Sequence, residues 1–107
     1  MDMDIIKINV GTHTSFDIDL SALPSNNVVK YVLTIKNEIG RNTPIIIERE
    51  FTTNGIHNVV ITPEESYELT DSAVYDVDII MASNKCYKAT NNGRVALERG
   101  VGQCKEL

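Results

Sequence analysis

Leu69-Thr70-Asp71-Ser72-Ala73-Val74-Tyr75-Asp76-Val77-Asp78-Ile79-Ile80 is the stretch that decides the fold. Its alternation puts Ala73, Tyr75, Val77, Ile79 and Met81 on one face and Val74, Asp76, Asp78 and Ile80 on the other. That is the period of a strand with one buried side. Asp71, Ala73, Tyr75 and Val77 also have the spacing of a tyrosine corner, in which a Tyr near the start of a sandwich strand turns its hydroxyl onto backbone just upstream. The spacing predicts a buried Tyr75 whose hydroxyl meets the backbone of residues 69–72. The motif bears on fold and carries no chemistry.

Strand follows strand on either side of it. Residues 5–10 are an apolar run closed by Gly11, and residues 15–20 and 29–36 alternate. Residues 44–51 open on Pro44, which suits a sheet edge because it has no amide to donate. Residues 56–61 are β-branched and follow the turn pair Asn54-Gly55. Residues 86–89 and 94–101 complete the series, separated by Asn91-Asn92-Gly93, a turn or bulge signal. Thr62-Pro63-Glu64-Glu65 has an N-cap residue, Pro at the first helical position and Glu at the capping-box position, predicting one helical turn. Short strands about ten residues apart predict an all-β sandwich of seven or eight strands in one domain spanning residues 1–107.

Composition narrows the function classes. The chain has 107 residues, 42% of them hydrophobic, enough for one core without staples. A net charge of -5 disfavours a nucleic-acid partner and an anionic membrane, which need clustered Lys and Arg. The acidic start Met1-Asp2-Met3-Asp4 does not read as a secretory signal, and no run approaches a membrane span. Cytoplasmic synthesis then predicts free thiols at Cys86 and Cys104.

No residue pattern predicts a catalytic, cofactor or metal site. His13 and His57 lack the cysteines or carboxylates of a zinc site. Asp76 and Asp78 share a strand face, but no acidic loop supplies the further oxygens that calcium requires. There is no nucleophile elbow and no phosphate-cradling glycine loop. The chain is therefore expected to be no enzyme.

Asp71-Ser72-Ala73-Val74-Tyr75 resembles the segment before the second core cysteine of antibody variable domains, although Val77 stands at the cysteine position and the chain has no Trp. A broader resemblance joins three segments: residues 10–20, an opening turn into an alternating strand; Tyr31-Val32-Leu33-Thr34-Ile35-Lys36; and residues 55–65 with Val74-Tyr75-Asp76-Val77. Together they resemble the small immunoglobulin-like sandwich proteins of tailed bacteriophages and prophages, similar to the N-terminal domain of phage baseplate upper proteins. His13 and Thr14 depart from the pattern, as does Ala73 where that family usually has Gly. The resemblance implies an immunoglobulin-like antiparallel β-sandwich and a structural or assembly protein of a tail, baseplate, fibre or neck. It places the chain in a virion, and in the host cytoplasm during assembly, with other virion proteins and itself as partners. Two other readings stay open. One is a ligand- or carbohydrate-binding module of a bacterial protein, with Tyr67 and Tyr87 as the spare aromatics. The other is a bacterial assembly or regulatory factor.

Alternation also predicts an interaction surface. Val32, Ile46 and Ile80 fall opposite the core on strands that would neighbour one another, beside the Pro44 edge. Grouped there, they would form an apolar patch next to pairable backbone, a place for self-association in a ring or multimer.

Overall fold

The structure is a computed structural model that describes residues 5–40 and 42–99. Seven strands and one short helix follow in order: β1 (Ile6–Asn9), β2 (Thr14–Asp19), β3 (Val28–Lys36), β4 (Ile45–Phe51), β5 (Ile56–Ile61), α1 (Pro63–Tyr67), β6 (Val74–Met81) and β7 (Cys86–Glu98). They form a five-stranded sheet in the order β1-β7-β6-β3-β4 and a two-stranded sheet, β2-β5. The fold is mostly β, as the strand periods predict, with the expected strand number and the expected helical turn.

Alternation becomes burial on the central strands. Ala73, Tyr75, Val77 and Ile79 approaching and along β6 are buried, while Val74, Asp76, Asp78 and Ile80 are half-exposed. Tyr31, Leu33 and Ile35 of β3 line up with them through the antiparallel register Tyr31↔Ile79, Leu33↔Val77 and Ile35↔Tyr75. Ile18, Val59 and Ile61 of the smaller sheet join the same cluster, as do Ile6 and Ile8 of β1, Val95 of β7, and Leu20, Leu23 and Leu69 from the loops. Both sheets thus bury one shared core. Its removal from water is the main favourable term in folding.

Two features depart from the expectation. β1 pairs with β7 in parallel, from Ile6↔Val95 to Asn9↔Glu98, so the sheets are not wholly antiparallel. Residues 86–98 form one strand where two were expected. The register slips twice against β6, between Tyr75↔Gly93 and Val77↔Thr90 and again before Asp78↔Lys88. Asn91-Asn92-Gly93 therefore marks a bulge inside a strand, where an extra residue increases local twist without ending the pairing. The part of the expected last strand beyond Arg99 lies outside the described residues.

Candidate interaction surfaces

At the corner, Ala73 is buried; its N–H donates to Thr70 O at 3.0 Å, and its carbonyl accepts from Val95 N at 3.2 Å. Tyr75 and Val77 follow, both 1% exposed. Asp71 stays at the surface, with Arg99 Nη2 3.4 Å from its Oδ1. Gly93, across the sheet, forms a floor for the Tyr75 ring: a Cβ there would stand 2.4 Å from Tyr75 Cζ. Tyr31 fastens upstream backbone, for its Oη donates to Pro24 O at 2.6 Å. The sequence reading placed Tyr31 in the core but missed this bond. Pro24 lies in a polar loop whose path no local pattern reveals.

The outer face of the five-stranded sheet carries a ladder of charge. Glu50, Val32, Asp78 and Lys88 are cross-strand neighbours in one row. Lys30 Nζ donates to Glu50 Oε1 at 2.8 Å, and Lys88 Nζ lies 2.8 Å from Asp78 Oδ1 and 3.1 Å from Asp76 Oδ2. Hydrogen bonding to Asp78, with Asp76 adding to it, raises the Lys88 ammonium above its ordinary range against the opposite pull of burial. Val32, flanked by two carboxylates, is only 8% exposed.

The three residues of the expected apolar patch are therefore not brought together. Ile80 faces Lys30 and Cys86 at one end of the sheet. Ile46 is the extra residue of a bulge, because Ile35↔Ile47 is followed at once by Lys36↔Ile45. The slip resets alternation, so Ile46 turns half-buried against the core and Ile45 is the exposed side chain. Lys30 and Lys36, the β3 partners at the two ends, are six residues apart, roughly 20 Å of strand.

Between the sheets, Arg49 acts as a bolt. Its Nη2 donates to Glu65 Oε1 and Oε2 at 2.8 and 2.9 Å and to Val60 O at 3.1 Å, joining β4 to β5 and α1. Glu65 also closes the capping box: Thr62 N donates to Glu65 Oε1 at 3.0 Å and Glu65 N to Thr62 Oγ1 at 3.2 Å. Burial pushes the Glu65 carboxyl up, but the Thr62 amide and the Arg49 guanidinium outweigh it and hold the group below its usual range. Ser66, fully buried in α1, donates to Pro63 O at 2.6 Å and accepts Gly11 N at 2.9 Å, fixing the β1–β2 turn. Asn37, just after β3, donates to Glu68 O at 2.8 Å and accepts Thr70 N at 2.8 Å, while its own carbonyl accepts Ser72 Oγ at 2.6 Å. The capping box was legible in sequence; Arg49 and Asn37, its long-range complements, were not.

The remaining sequence candidates fall at separate places. His57 stacks on Phe51 with ring centroids 4.7 Å apart, and His13 is exposed. Cys86 is exposed and makes no disulfide among the described residues, and Cys104 lies outside them. Among the described residues no group of three His, Cys, Asp or Glu is placed to hold a metal ion, and no helix is long and apolar enough to cross a membrane. A small groove of about 30 Å³ beside Tyr75 is lined by Thr34, Lys36, Glu38, Val74 and Asp76. The large exposed apolar side chains, among them Ile39, Ile45, Ile56, Val60, Tyr67 and Tyr87, are spread over edges and ends. Comparison with known proteins finds no matching family model, no matching curated protein and no matching solved structure.

Proposed function

We propose that this chain is a non-enzymatic module of immunoglobulin-like order that works by docking to other proteins, and that it serves in a tailed-phage or prophage particle. One observation supports the architectural half. In the order β1-β7-β6-β3-β4, strands β7, β6 and β3 take the places of G, F and C of an immunoglobulin sheet, with β2 and β5 at the B and E positions of the other. Tyr75, next to the first residue of β6, then occupies the corner position of strand F, two residues before Val77. Fold order does not by itself assign a role. The particle assignment rests on the three segment resemblances, and partners in other virion proteins follow from it.

The test is mass spectrometry of density-purified particles induced from the strain that encodes the chain. The chain is expected to co-purify with tailed particles at a constant ratio to the major tail protein. Recovery only from the particle-free lysate overturns the assignment. The ligand-binding alternative has less support, because its two exposed tyrosines do not share a cleft. Tyr67 sits over Gly11 at one end of the molecule. Tyr87 belongs to the opposite end, where Ala82 N donates to Asn27 O beside the β6–β7 turn.

A further inference from the structure

Among the described residues four strands end a sheet: β1 and β4 in the larger, β2 and β5 in the smaller. A free edge presents unpaired N–H and C=O groups, and proteins commonly guard it with charge. Lys7 stands exposed on β1, Asp17 and Asp19 on β2, and Glu48 and Glu50 on β4. β5 reads Ile56-His57-Asn58-Val59-Val60-Ile61 and carries no Asp, Glu, Lys or Arg, no Pro and no Gly. Uncharged, β-branched segments of this length are the ones that add to other strands.

The register shows which groups of β5 point outward. Leu20 N donates to Gly55 O at 2.7 Å, so Gly55 faces β2, and with it every second residue, His57, Val59 and Ile61. The backbone of Ile56, Asn58 and Val60 faces the other edge. In agreement, Val60 O accepts Arg49 Nη2 from that side, leaving its second lone pair. The side chains of the same three residues lie exposed on the outer face, Ile56 at 67% and Val60 at 45%. Asn58 leans away from the edge, its Nδ2 donating to Ser15 Oγ at 2.8 Å and Asp17 Oδ1 at 3.1 Å.

We propose that β5 pairs edge to edge, antiparallel, with β5 of a second copy of this chain. One register pairs all three outward residues: a two-fold axis at Asn58 sets Asn58 opposite its equivalent and Ile56 opposite Val60 of the other copy. Ile56 of each copy then lies beside Val60 of the other, β5 itself brings no like charges together, and the two small sheets become one of four strands, β2-β5-β5-β2. β4 is a poorer edge for the same purpose, because a second copy would bring Glu48 and Glu50 against the same carboxylates. One strand pair buries less than the ~1,000 Å² of a specific stable interface, so the dimer is weak in dilute solution. The proposal rests on strand geometry alone and stands whether or not the chain belongs to a particle.

The test exploits the register. Residues opposed as a hydrogen-bonded antiparallel pair have Cα atoms about 5.5 Å apart, within disulfide reach. In a Cys86→Ser, Cys104→Ser background, Asn58→Cys is expected to yield a disulfide-linked dimer under mild oxidation, well ahead of Glu48→Cys and Asp17→Cys in the same background. Asn58→Pro removes an outward N–H at an edge position where Pro is tolerated. It should lower the association constant roughly tenfold by sedimentation of the otherwise wild-type chain at rising concentration. Circular dichroism checks that this variant folds; if it does not, Ile56→Lys with Val60→Lys, both at exposed positions, takes its place. Equal cross-linking at positions 58, 48 and 17, or a folded edge variant with an unchanged mass curve, overturns the proposal.

Discussion

An alanine methyl at position 93 would stand 2.4 Å from Tyr75 Cζ and 2.5 Å from Cε1, closer than side-chain atoms approach. Gly93→Ala is therefore expected to cost about 1–3 kcal/mol by overpacking, read as a lower denaturation midpoint. Tyr75→Ala should cost roughly 3–5 kcal/mol as a cavity. The double variant should cost less than the sum, since the smaller side chain makes room for the methyl; strict additivity would show that the two residues do not share one packing unit. Glu65 sets an acid dependence. Its carboxyl titrates lower in the folded chain than in the unfolded one, so its contribution is present above the unfolded value near pH 4.3 and is lost as pH falls through the folded value. Glu65→Gln should be less stable than wild type at pH 7, with the gap narrowing below about pH 4 in denaturant titrations; a constant gap would contradict this. The burial of Tyr75 was legible because alternation is a local property. Gly93 was legible only as punctuation, because the ring it supports lies on another strand.

Strands were readable at the element scale wherever period-two alternation met a β-branched run, and α1 was readable from its capping box. Pairing and bulges were not. One inserted residue at Ile46 turned the intended outer side chain inward, and two slips inside β7 converted an apparent break into a continuous strand. Bulges depend on what lies across the ladder, so a single strand's pattern does not announce them. The expected apolar patch failed for the same reason, since it assumed unbroken alternation along residues 44–51. Arg49 supplies the test at this scale. Arg49→Met removes a bidentate partner from a half-buried carboxylate and a donor from Val60 O, and should cost about 1–2 kcal/mol. Hydrogen exchange of the β5 amides should quicken more than that of β6; uniform quickening would mean that Arg49 does not specifically bolt β5 in place.

At the scale of the whole molecule, both sheets close on one hydrophobic cluster. Thermal or denaturant unfolding followed by far-ultraviolet circular dichroism and by tyrosine fluorescence should give coincident, single transitions. Separate midpoints would mean that β2-β5 melts independently. The parallel pair also has a consequence under load. Ile6 lies beside Val95 and Asn9 beside Glu98, with Val10 N donating to Glu98 O at 2.9 Å beyond them. Tension that enters the chain ahead of β1 and leaves it after β7 runs in opposite directions along two strands lying side by side. It shears all the bonds between them together and cannot peel them one at a time. The pair is thus loaded in shear when the domain is pulled along its own chain, the geometry in which strand pairing gives way least easily.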